Sequence, residues 1–138
     1  MQKIPSLGHD EAQEAVAVIQ AEMLKRGKAG VIAVADAHGE LIALLRLDGA
    51  PLPSIQIASN KAYTAARERK PSREIGQGAR HPEQGFDIAY YGDPKILGWG
   101  GGLPVVVGGT VVGAVAVSGL PEVEDIELAE MGVAAISR

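Results

Sequence analysis

The sequence contains no cysteine. Disulfides, thiol nucleophiles and cysteine-ligated zinc are therefore excluded, and a cytoplasmic location is the expectation. Aromatic residues are scarce: one Trp, three Tyr and one Phe in 138 residues. The core must instead come from Val, Ile, Leu and many Ala, so its elements must pack closely. Basic residues are too few for nucleic acid to be the main partner. The formal charge is −4, and affinity for phosphates comes chiefly from cations. The one basic run, "RERKPSR" at Arg67–Arg73, reads as a solvated helix end. No apolar stretch reaches membrane-spanning length, because Pro and Gly interrupt the C-terminal run, and the N-terminus is too polar for a signal peptide. No phosphate-loop or dinucleotide glycine pattern occurs, nor H-E-x-x-H, so no metal site is expected. Carboxylates in "PEVEDIE" (Glu122, Glu124, Asp125, Glu127) are accounted for by a helix N-terminus.

What remains is one domain's worth of chain, 46% hydrophobic, read as a single unit over residues 1–138. "HDEAQEAVAVIQAEMLKRGK" predicts an amphipathic helix, with Ala12, Ala15, Val16, Ile19 and Met23 on one face. Val31–Asp36 and Leu41–Arg46 flank "AHGE" and predict a hairpin. Both strands are nearly all apolar, which predicts cover on both faces or burial in a subunit interface. "PSIQIASNKAYTAARERKPS" predicts a second helix with a small-residue face at Ala58, Ala62, Ala65 and Ala66. Residues 73–95 show no strong period and read as a long, functional loop that can hide short helical turns. The glycine-rich run Trp99–Gly119 leads into β-branched stretches split by Gly108-Gly109, the mark of a tight hairpin rather than a phosphate cradle. A short strand is expected near Ile96–Trp99, and "PEVEDIELAEMGVAAISR" predicts the last helix. The expected fold is α+β, a five-stranded antiparallel sheet with helices on both faces.

"VIAVADAHGELIALLRLDGAPLPSIQIASNKAYTAA" and "GGGLPVVVGGTVVGAVAVSGLPEVED" resemble the two signature segments of the GlcG/HbpS (PduO C-terminal-like) family. The matching positions include Asp36, Gly39, Arg46, Asp48, Lys61, Thr64, Gly101, Gly102, Pro104, Ser118 and Asp125. Leu120 stands where members usually carry a second Gly, and Glu124 where they carry Gln. The resemblance implies a profilin-like shape and homo-oligomers built from dimers into larger rings or octamers. It makes haem a candidate cofactor, and it implies a small-molecule ligand, an organic or tetrapyrrole anion near a subunit interface.

Candidate residues follow from both sources. His9, just before the first helix, is the candidate axial haem ligand by its position in the family. Arg46, Asp48 and Lys61 form either an ion pair that fixes the strand-to-helix corner or a pocket that takes a carboxylate or propionate. Thr64 shares a helix side with Lys61, and Gly101 and Gly102 shape the corner beside that pocket. The alternative is a cofactor-independent lyase or isomerase of a small catabolic substrate. Its acid–base groups would be His81, Glu83 and Tyr91 from the long loop, with free amides of the glycine run as an oxyanion site. His38 reads as a turn residue.

Overall fold

The computed structural model describes residues 1–138. Helix α1 (His9–Lys25) leads to strands β1 (Val31–Ala35) and β2 (Leu41–Arg46), then to helices α2 (Ser54–Glu68) and α3 (Ser72–Ala79). A 3-10 turn at Ile88–Tyr91 precedes strands β3 (Gly102–Val107) and β4 (Thr110–Ser118), and helix α4 (Glu122–Ile136) closes the chain. The sheet has four strands in the order β2-β1-β4-β3, every pair antiparallel.

Strand alternation decides which helices cover which face. Ile32, Val34, Val115 and Val117 point to one side and pack with Ala15, Ile19 and Met23 of α1 and Leu128 and Ala129 of α4. Each large aliphatic side chain sealed there contributes roughly 1.5–3 kcal/mol. The intervening residues are small: Val31, Ala33, Ala35, Ala114 and Ala116 meet Ala58, Ala62, Ala65 and Ala66 of α2. An alanine face on both partners lets α2 lie close to the sheet, which explains how so few aromatics suffice. Central strands β1 and β4 are buried almost throughout, whereas β2 is a half-exposed edge with an unpaired outer side. The β3–β4 hairpin turns on Gly108 and Gly109, with φ of 57° and 78°. Both lie in the left-handed region that a two-residue turn of this kind requires.

One expectation needs correction. The sheet has four strands, not five: no strand forms at Ile96–Trp99. The backbone there is satisfied by a helix side chain instead of a sheet edge. Leu97 donates its N–H to Thr64 Oγ1 at 3.1 Å, and Thr64 Oγ1 donates to the Lys95 carbonyl at 3.2 Å. Ile96 is meanwhile drawn into a small cluster with Tyr63 and Ile75, against α2 and α3. The loop from residue 73 does hide helical turns: its first turns are helix α3, with Ser72, Ile75 and Gly76 on its buried side.

Candidate functional site

Six polar or charged side chains are buried: Ser54, Lys61, Thr64, Ser72, Ser118 and Asp125. Lys61 sits on the alanine face of α2, which leads it under the end of β4. Its Nζ donates to the Val117 carbonyl at 2.9 Å and to Asp125 Oδ2 at 3.2 Å. Asp125 lies in the first turns of α4, and its Oδ1 accepts the Leu120 N–H at 3.1 Å. Burial pushes the Lys61 ammonium below its ordinary pKa of 10.5 and the Asp125 carboxyl above its ordinary 3.8, because each loses water; each partner's charge opposes the other's shift. Gly101 makes the contact feasible. Its φ is +125°, and a Cβ there would stand 2.5 Å from the Val117 carbonyl oxygen and 2.8 Å from Lys61 Nζ. Ser72 Oγ donates to the Trp99 carbonyl at 2.7 Å and accepts the Gly102 N–H at 3.0 Å, holding the corner against α3.

Above the pair opens a cleft of about 370 Å³ lined by Ser54, Ile57, Lys61, Trp99, Ser118 and Asp125. A second depression, a groove of about 500 Å³ between α1 and the edge strand, is lined by His9, Asp10, Val16, Ile42 and Leu45 among others. A third, with Lys28 and Arg46, shares Leu45 with the second. The two adjoin at Leu45 along α1 and β2, with His9 lining the one and Arg46 the other.

The expected ligand residues thus divide. His9 lines the α1–β2 groove and Arg46 the depression adjoining it, while Lys61 belongs to the cleft between α2 and the start of α4. Arg46 and Asp48 form no ion pair; the buried pair is Lys61 with Asp125. Thr64 is fully buried and pins residues 95–97. His81 and Glu83 are exposed, and His81 Nδ1 accepts the N–H groups of Glu83 and Gln84, bracing its own turn. Tyr91 donates to Glu68 Oε1 at 2.8 Å and meets Phe86 edge-on. These three do not converge with Lys61. His38 lies in the β1–β2 turn, where its carbonyl accepts from Arg67. Sequence reasoning missed Ser54 and Ser118, although both lie within the segments that carry the family resemblance.

The loop beyond the 3-10 turn is held by Tyr63, whose hydroxyl donates to Asp93 Oδ2 at 2.5 Å. That bond, with the Lys95 N–H, holds the Asp93 carboxyl below its ordinary 3.8; the same bond, with burial, raises the Tyr63 phenol above 10.0. The lowered acid stabilises the fold above pH 3.8, and this is lost as pH falls through its folded value. The raised phenol stabilises it below pH 10.0, and this is lost as pH climbs through its folded value. Tyr63→Phe is therefore expected to be less stable than the parent between those limits and to converge with it outside them, as read by urea midpoints across pH.

A four-stranded antiparallel sheet with α1 and α4 on one face and α2 on the other defines a small α+β sandwich. The chain belongs to the family described as "Haem degrading protein HbpS-like", which matches residues 7–134. It is 33% identical to a 15.0 kDa protein from the dhaT-dhaS intergenic region of Citrobacter freundii, over 94% of this chain and 91% of that one. It is 35% identical to protein GlcG of Escherichia coli K12, over 81% of each. The crystal structure of the Klebsiella pneumoniae protein ORFY superposes with a TM-score of 0.93 at 29% identity, covering 99% of this chain and 94% of that one. That of a PduOC:haem complex superposes with a TM-score of 0.87 at 23% identity, over 95% of each, a likeness of fold. No helix is long and apolar enough to cross a membrane.

Proposed function

We propose that the protein is a ligand-binding domain that holds a haem-like tetrapyrrole or another organic anion in the α1–β2 groove, at a boundary between subunits. The observation that carries this reading is the arrangement of that groove and the depression adjoining it: a histidine in the first, an arginine in the second and aliphatic side chains between them. The donor set fits haem. His9 is exposed in this groove, with Nδ1 3.3 Å from Asp10 Oδ1, and its imidazole would be the ligand to the iron. Val16, Ile42 and Leu45 offer an apolar wall for a macrocycle. Arg46, with Lys28 beside it, would pair with propionates. The volume lies in the range of small-molecule sites. A bound haem would supply iron redox chemistry and a visible absorption band. The unpaired edge of β2, with Leu41 48% exposed, is the surface through which a second copy would close the groove.

Haemin titration tests the reading. The parent is expected to give a saturable Soret band. His9→Ala is expected to shift the band and weaken binding, and Arg46→Ala to weaken it about tenfold or more through one lost charge-assisted contact. Unchanged binding in both variants would place the ligand elsewhere.

A further inference from the structure

The six buried polar side chains are not equally provided for. Lys61 and Asp125 bond to each other, and Thr64 and Ser72 bond to backbone. The hydroxyls of Ser54 and Ser118 have no partner within the chain, although these residues are only 5% and 4% exposed. Neither oxygen is sealed from solvent. Both residues line the cleft above Lys61, so both hydroxyls open into it.

Donors remain free in the cleft. An ammonium carries three N–H groups, and Lys61 uses two, on Val117 and Asp125. Each Asp125 oxygen takes one hydrogen bond, from Lys61 and from the Leu120 N–H. Glu122 at the rim faces Arg73 at 3.5 Å. Helix α4 begins at this cleft behind Pro121. An N–H of Lys61 and the two serine hydroxyls thus remain to donate to a ligand. Beside them stand Ile57, Leu120 and Trp99, the last 60% exposed.

We infer that this cleft is a second site, separate from the α1–β2 groove, which binds a small organic monocarboxylate: Ser54, Ser118 and Lys61 hold the carboxylate and Trp99 covers an apolar body. The stripe Ser54–Ile57–Lys61 along one side of α2 supplies one wall, and the end of β4 with the start of α4 supplies the other. This inference stands apart from the haem reading, and either can fail alone.

Trp99 is the only tryptophan, so its fluorescence reports on the cleft directly. Sodium propionate and sodium benzoate are titrated at constant ionic strength, with glycerol and sodium sulfate as controls. A saturable change with a carboxylate is expected, and none with either control. The double variant Ser54→Ala/Ser118→Ala is expected to weaken carboxylate binding about tenfold or more, while melting temperature, oligomeric state and haemin titration stay as in the parent. His9→Ala is expected to leave carboxylate binding unchanged. No saturable response, an equal response to glycerol or sulfate, parental affinity in the double serine variant, or displacement of benzoate by haemin would each overturn the assignment.

Discussion

Lys61→Met is expected to cost about 3–5 kcal/mol of stability, a large share of what a domain this size possesses. The substitution leaves Asp125 buried with a single N–H donor, from Leu120, and strips the Val117 carbonyl of its lysine. Asp125→Leu is expected to cost as much, because it abandons an ammonium that is 2% exposed. The double variant Lys61→Met/Asp125→Leu removes both charges together and is expected to regain most of the loss, since an apolar pair of similar volume spares the desolvation of two ions. Guanidinium unfolding of the four proteins measures the cycle. Single variants within about 1 kcal/mol of the parent would show that the pair is solvated and weak. A double variant as unstable as the singles would show that the side chains matter for shape rather than charge.

Much of this site was legible in the chain, but not its pairing. Helices α1, α2 and α4 announce themselves by apolar period, and both hairpins by glycine turns, because these signals are local. The Lys61–Asp125 contact joins residues 64 positions apart, and no local pattern specifies it. A hint was present all the same. Lys61 interrupts the alanine face of α2, one position before Ala62 and three after Ala58, where a free lysine has no place. Asp125 was masked because acids in a first helical turn are already explained by the helix dipole. Helix α3 was hidden by its two glycines, although Ser72, Ile75 and Gly76 have helical spacing. The expected fifth strand failed for a tertiary reason: Thr64, on a neighbouring helix, takes the hydrogen bonds that a strand would need. The long loop promised chemistry through His81, yet that imidazole caps a turn much as an aspartate would.

Gly102→Val is expected to abolish cooperative folding, whereas Leu103→Ala next to it is expected to lower stability only moderately. A Cβ on residue 102 would stand 2.3 Å from the Lys61 carbonyl oxygen and 2.7 Å from its carbon. Both are main-chain atoms of α2, which cannot swing aside as a side chain tip can. Relief would require α2 to move off the sheet, parting the alanine face that joins Ala58, Ala62, Ala65 and Ala66 to β1 and β4. The same shift would pull Ser72 Oγ from the Gly102 amide and Lys61 Nζ from Val117. Overpacking in a core ordinarily costs about 1–3 kcal/mol because neighbours adapt. Here the neighbour is a helix backbone, and the expected loss exceeds that range. Leu103 is half-buried beside the opposite cluster, and its truncation leaves α2 in place. Circular dichroism through a thermal ramp distinguishes the outcomes. A sharp Gly102→Val transition near that of the parent would mean that β3 can shift away from α2.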